Sequence, residues 1–335
     1  MKKVALIFAL LMVLVSCVEK KSTDNTISVV PQVESVRVDE GTFCINKDTK
    51  IFLDVPSEEM KRVAGFLNER LKTAAGFELQ FTDQPEWENI IMFMNADFPS
   101  ERYVINCRPN YLVVDYGDGA GAFYAVQTLL QLLPVEIFAQ ERQRGIDWTV
   151  PCCSIEDAPR FKYRGMHLDV CLHYFDVEFL KKYIDIMAAH KVNRFHWHLT
   201  EDQGWRLEIK KYPLLTEKGQ WRKETVVGSL KSGVYDGTPH GGYYTQEQVK
   251  ELVKYAADRY VTIIPEIELP GHALAAIACY PELSCGLEDH YETATRWGIF
   301  KQVYCPKEST FAFLEDVFDE VFELFPSELI HIGGD

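Results

Sequence analysis

The chain is 335 residues long, 47% hydrophobic, and carries 50 Asp and Glu against 35 Lys and Arg, a formal net charge of −15. That length and apolar content are enough for two domains with cores of their own. So acidic a balance excludes nucleic acid as a partner, because a polyanion needs a basic face.

Lys2 and Lys3 precede an apolar run from Val4 to Val15, too short to span a bilayer as a helix and patterned as a signal peptide. The run closes in Leu14-Val15-Ser16-Cys17, which resembles a bacterial lipobox. Cleavage after residue 16 leaves Cys17 for lipidation. The expectation is an exported bacterial lipoprotein, periplasmic or at the cell surface, that meets the membrane only through its lipid. Residues 17–32 are polar and aperiodic, as a tether is. None of the cysteines forms a CxxC pair, so no zinc or thioredoxin-type motif is supported. Cys285 and Cys305 bracket a polar stretch and can staple it.

Residues 33–155 predict a small α+β domain. Strands are expected at Ser35–Val38, Ile51–Asp54, Ile90–Met94, Tyr103–Asn106 and Leu112–Asp115. Met60, Val63, Ala64, Leu67, Leu71 and Ala74 recur at helical spacing, with Ser57 as N-cap and Gly76 as C-cap. A second helix is expected from about Ala120 to Leu133, where Pro134 stops it. The glycines of 117–121 lack the spacing of a phosphate loop and predict a tight turn.

Past a boundary between Pro151 and Pro159 the pattern becomes strand, loop, helix. Residues 156–335 predict strands at Arg164–Val170, Val192–Leu199, Val261–Ile267 and Leu329–Ile332. Three helices follow the first three strands. One starts near Asp176 and turns Phe179, Leu180, Tyr183, Ile186 and Met187 inward. One opens on the capping box Thr245-Gln246-Glu247-Gln248. One carries Phe311, Leu314, Val317, Phe318 and Val321 on a single face. The long insertions all follow strand ends. This is the pattern of the first half, about four βα units, of a TIM (β/α)8 barrel whose C-terminal face carries the chemistry. A doubly wound sheet is the alternative.

The polar residues gather at those strand ends. Glu201 and Asp202 follow the second strand, Glu268 and His272 the third, and Asp335 follows Gly333-Gly334 on the fourth. Carboxylates and an imidazole converging on one face suit acid–base chemistry. His196 and His198 share a strand face, a spacing found in metal sites and in ordinary cores. Trp205 and Trp221 lie in the long loop, where an exposed indole offers a sugar face a platform.

Five stretches carry a resemblance. They are GAGAFYAVQTLLQLLP (residues 119–134), RGMHLDV (164–170), NRFHWHLTEDQGWR (193–206), PEIELPGH (265–272) and HIGGD (331–335). In order and spacing they resemble glycoside hydrolase family 20, the β-N-acetylhexosaminidases. The resemblance implies a small α+β domain ahead of a (β/α)8 barrel. It implies a retaining, substrate-assisted reaction on glycans or oligosaccharides ending in N-acetylhexosamine, with no metal or organic cofactor. The substrate's acetamido oxygen attacks the anomeric carbon. Asp335 resembles the residue that orients the acetamido N–H, and the general acid Glu is expected just beyond residue 335, so the 335 residues alone are expected to be inactive. Asp202, His272 and Glu268 are cast as a hydrogen-bonded set, with Glu201, that tunes that acid. One departure stands out. The family's Asp-x-x-Arg-His reads Asp169-Val170-Cys171-Leu172-His173 here, so Leu172 replaces an arginine that grips sugar hydroxyls. Two other readings are a glycan-binding lipoprotein without activity, and a barrel metallohydrolase built on His196, His198, His272 and Asp335.

Overall fold

A computed structural model describes residues 27–229, 231–286 and 290–335. The expected signal peptide, residues 1–16, and Cys17 lie outside the described residues.

The first domain is one mixed seven-stranded sheet backed by two helices. Its strands are β1 (Ser35–Cys44), β2 (Lys50–Leu53), β3 (Gln80–Thr82), β4 (Ile90–Asn95), β5 (Tyr103–Cys107), β6 (Tyr111–Tyr116) and β7 (Thr149–Asp157), in the order β1-β7-β5-β6-β4-β2-β3. Helix α1 (Glu58–Ala74) is capped by the Ser57 side chain, which accepts from the Met60 N–H, and α2 (Gly119–Leu132) is capped by Asp118. β7 was not expected, since the boundary was placed between Pro151 and Pro159, and Pro151 has no N–H to give a central strand. Pro151 pairs Thr42 beside a register shift in β1 and lies beyond the end of β5, so that missing donor is tolerated.

The second domain holds four strands, β8 (Gly165–Asp169), β9 (Arg194–His198), β12 (Thr262–Leu269) and β13 (His331–Gly333). All pair in parallel, in sequential order β8-β9-β12-β13. A doubly wound sheet reverses its strand order at a switch point. This one does not, and the arrangement is that of consecutive barrel strands. Helices α3 (Val177–Ala189), α5 (Gln246–Ala257) and α7 (Glu308–Leu324) connect them. Short elements decorate the strand ends: a hairpin of β10 (Thr200–Glu201) and β11 (Gly204–Trp205), and helices α4 (Leu214–Glu217) and α6 (Leu274–Cys279).

The helix starts follow local chemistry. Asp176 caps α3, and Thr245 and Gln248 form the reciprocal capping box of α5. The faces differ from expectation in two places. In α3 the buried stripe is Leu180, Ile184, Met187 and Ala188, while Phe179 and Ile186 are exposed. In α7 Phe313 is buried and Phe311 exposed. Both helices carry apolar residues over more than one stripe, and packing against the sheet selects between them.

The two domains are joined by buried polar contacts. Lys191 Nζ lies 2.7 Å from Asp157 Oδ2 and 2.7 Å from the Tyr103 hydroxyl. Arg164 donates to Glu101 at 2.7 Å and to the Tyr124 hydroxyl at 2.8 Å. These fix the end of β7 and the start of β8 as one unit.

Candidate active site

The β10–β11 hairpin folds Glu201 and Asp202 inward at the end of β9, so both are buried. Asp202 Oδ1 accepts from the Leu274 N–H at 3.0 Å. Glu201 Oε2 accepts from the Asp202 N–H. Between the two carboxylates sits one imidazole nitrogen. His272 Nδ1 is 3.0 Å from Glu201 Oε2 and 3.0 Å from Asp202 Oδ2. Two carboxylates facing one nitrogen require that nitrogen to carry the proton. The far nitrogen, Nε2, points at Asp335 Oδ2, 3.3 Å away. Glu201, Asp202, His272 and Asp335 therefore form one continuous polar chain, from a dry interior to an exposed carboxylate.

Electrostatics follow the burial gradient. Burial pushes the Glu201 carboxyl up to about 7, and Asp202 adds to it. Asp202 is raised by burial as well, against the pull of the Leu274 N–H and His272. Burial works against charge on His272, yet Glu201, Asp202 and Asp335 hold it above its ordinary value. The chain can thus store a proton and share it towards Asp335.

Glycines make the approach of β13 possible. The Gly271 N–H donates to the Asp335 carbonyl at 3.0 Å, and a Cβ at 271 would lie 2.4 Å from that oxygen. Gly333 has a φ of +64°, and its missing Cβ would fall 1.5 Å from Glu268 Oε2. The Gly-Gly before Asp335 is thus a fit to Glu268 as well as a turn.

Glu268 does not join the hydrogen bonds around His272. Its Oε1 faces His198 Nε2 at 3.3 Å, and its buried Oε2 has no hydrogen-bond partner among the described residues. Burial, then Glu266 and Asp335, push it up to about 8. Trp205 is not a platform for ligand. It is buried, because the hairpin turns the ring inward, and its indole N–H donates to the Leu207 carbonyl at 2.6 Å. Trp221 does stay half exposed.

Leu172 lies in the turn after β8. Asp169 Oδ1 accepts from the Cys171 and Leu172 N–H groups, so this aspartate shapes the turn. Two buried arginines hold the carbonyls. Arg206 donates to Val170 and Cys171, and Arg222 to Leu172 at 2.7 Å. Neither arginine was singled out from the sequence. Arg206 follows Trp205 in a motif, which marked the segment but not its role.

The structure does not bring the residues of the metallohydrolase reading together: His196 and His198 turn towards Glu266, whereas His272 faces Glu201, Asp202 and Asp335.

The description "Glycosyl hydrolase family 20, catalytic domain" matches residues 161–335, and that of the family's domain 2 matches residues 26–158. The chain belongs to glycosyl hydrolase family 20. Its first-domain sheet and consecutive barrel strands are the family's two-domain frame. A beta-hexosaminidase of Porphyromonas gingivalis is 44% identical over 317 residues, 93% of this chain and 39% of that protein. One from Vibrio furnissii is 34% identical, over 92% of this chain and 49% of that protein. The chain thus spans half or less of the length of these two relatives. Among solved structures, the family 20 β-N-acetylhexosaminidase of Streptomyces coelicolor A3(2) superposes with a TM-score of 0.81 at 35% identity, over 92% of this chain and 59% of that one. A mutant Streptomyces plicatus beta-hexosaminidase in complex with its product GlcNAc gives 0.80 at 34% identity, over 91% and 58%. None of these relatives supports a glycan-binding protein without activity.

Proposed function

We propose that the chain acts as an exo-β-N-acetylhexosaminidase on terminal β-linked GlcNAc or GalNAc, retaining configuration through an oxazolinium ion. The observation that carries this reading is Asp335, a carboxylate held at a strand end and backed by the His272 chain. Its carboxylate accepts from the substrate's acetamido N–H, which turns the acetamido oxygen onto the anomeric carbon. As that oxygen forms its bond and the glycosidic bond breaks, positive charge spreads over the new ring. A preorganised anion stabilises it without reorganisation. The leaving oxygen takes its proton from the glutamate that family members carry directly after this aspartate. Water then attacks the anomeric carbon from the face the leaving group vacated, breaks its bond to the acetamido oxygen and gives its proton to the glutamate that has become a carboxylate.

The glycan meets the enzyme outside the cytoplasm in this reading. The Leu14-Val15-Ser16-Cys17 run supports a lipid-anchored, exported protein, and so does the Cys285–Cys305 disulfide, since such bonds persist in oxidising compartments. Masses of the native protein and of a Cys17→Ser variant test the anchor.

The catalytic test uses the native protein on a chromogenic N-acetylglucosaminide, with the first-formed anomer read by NMR. The β-anomer should appear first, and Asp335→Asn should lower kcat by about 100- to 1000-fold. A first-formed α-anomer, or an Asp335→Asn variant of undiminished kcat, refutes the mechanism.

A further inference from the structure

Between β12 and α7 the chain runs past the acidic cluster as a stapled loop, its ends joined by the Cys285–Cys305 disulfide. The Tyr304 N–H donates to the Pro270 carbonyl at 2.9 Å, and the next residue, Gly271, holds the Asp335 carbonyl. The Ala294 N–H donates to the Asp202 carbonyl at 2.9 Å. Gln203, at the tip of the β10–β11 hairpin, donates from its side chain to the Arg296 carbonyl at 3.0 Å. From the long loop after β11, the Val226 N–H donates to the Thr295 carbonyl at 3.0 Å, and Lys223 pairs with Glu292 at 2.8 Å. The loop is therefore tied to the hairpin, to the end of β12 and to the neighbouring loop.

Its tip is apolar and faces solvent. Trp297 is 48% exposed and Ile299 92% exposed. Arg296 folds back across Gly298 towards the Phe300 ring, with its guanidinium carbon 5.7 Å from the ring centre. An indole face suits the apolar face of a pyranose, and a guanidinium one residue away offers donors to sugar hydroxyls. A loop already fixed by its hydrogen bonds loses little conformational entropy when a ligand settles on it.

The sheet order decides which sugar this indole meets. Trp297 lies in the connection between β12 and β13, beside the strand that ends in Asp335. Trp221, the other half-exposed indole of this rim, precedes Arg222, which is bonded to the Leu172 carbonyl in the turn after β8. β8 is three strand intervals from β13, so Trp221 is tied to the side of the sheet remote from Asp335. We propose that Trp297 is the platform for the sugar on the leaving-group side of the scissile bond, and that the enzyme therefore prefers oligosaccharides to glycosides of a single sugar. This rests on the hexosaminidase reading, which puts the terminal N-acetylhexosamine against Asp335. The part of Trp297 is to hold the departing sugar, not to move a proton.

Calorimetry on the native protein carrying Asp335→Asn, which slows turnover during the titration, gives Kd for GlcNAc and for the β-1,4-linked GlcNAc trisaccharide. The trisaccharide should bind more tightly. Adding Trp297→Ala should reduce that preference by roughly two- to tenfold, the worth of one aromatic stacking contact. Trp297→Tyr should keep most of it, and Trp221→Ala should not lower it. Three results overturn the proposal: a preference unchanged in Trp297→Ala, a preference lost in Trp221→Ala alone, or an equal loss of affinity for both ligands in Trp297→Ala, which marks a disturbed cluster rather than a lost platform. Hydrolysis is read separately with Asp335 intact, where Trp297→Ala should lower kcat/KM on the trisaccharide relative to methyl N-acetylglucosaminide by the same factor, through KM. A native protein that shows the expected binding ratios yet hydrolyses neither compound refutes the hexosaminidase activity and upholds the subsite.

Discussion

Replacing Glu201 by glutamine should stabilise the protein at alkaline pH and leave it nearly unchanged at pH 4.5. Glu201 is buried, and burial lifts its carboxyl from an ordinary 4.5 to about 7. A carboxyl raised on folding holds more protons in the native than in the unfolded chain between those values. Its contribution is therefore fully favourable below 4.5 and is lost as pH rises through about 7. Above that, the native state keeps a buried charge that the unfolded chain would hydrate. The interval from 4.5 to about 7, at about 1.4 kcal/mol per pH unit, corresponds to roughly 3 kcal/mol. Glutamine can still accept from the Asp202 N–H, but it removes one of the two carboxylates that hold His272 charged. The raised His272 contributes stability at low pH that fades as pH rises through its own value. Glu201 lends that charge only where it is itself ionised, above about 7, so its loss leaves pH 4.5 nearly untouched and trims the gain at higher pH. A net gain of about 1–3 kcal/mol at pH 8.5 remains, or several degrees in Tm. Thermal unfolding of both proteins, followed by circular dichroism from pH 4.5 to 8.5, reads the difference. A difference constant across that range, or a variant less stable at pH 8.5, would refute the account of Glu201 as a buried acid.

Two further outcomes probe the sugar side and the domain joint. Leu172→Arg should raise kcat/KM on a chromogenic N-acetylglucosaminide by roughly ten- to hundredfold, the worth of one charged hydrogen bond at about 1.5–3 kcal/mol; an unchanged value in steady-state assays would show that position 172 does not hold substrate. Lys191→Met should cost about 3–5 kcal/mol in urea unfolding, because the buried Asp157 carboxylate loses its cation, and pairing it with Asp157→Leu should recover most of that loss. A double variant as unstable as the single one would mean that Lys191 matters for packing rather than for charge.

What was legible in the chain was what local chemistry decides. Caps at Ser57, Asp176 and Thr245 act within one turn of their helices, so three residues of sequence are enough to place them. The strand ends that carry Glu201, Asp202, His272 and Asp335 were legible too, because buried parallel strands are short apolar runs and their polar residues collect where the runs stop. The rest depends on what folds back. Trp205 is buried only because Asp202 and Gln203 make the hairpin turn, and no periodicity marks that turn. Phe179 and Phe311 lie on helices whose apolar residues form rival stripes, so the choice belongs to the sheet beneath. Nothing local marks the role of Arg206 and Arg222, because the turn carbonyls they hold lie more than 30 residues away. The same holds for Glu268. From sequence it belongs with His272, four residues on. The alternation of a strand points it instead towards His198, and the close approach of Gly333 keeps it there. A spacing in the chain fixes which strand delivers a carboxylate; which imidazole it meets is decided by the register between strands.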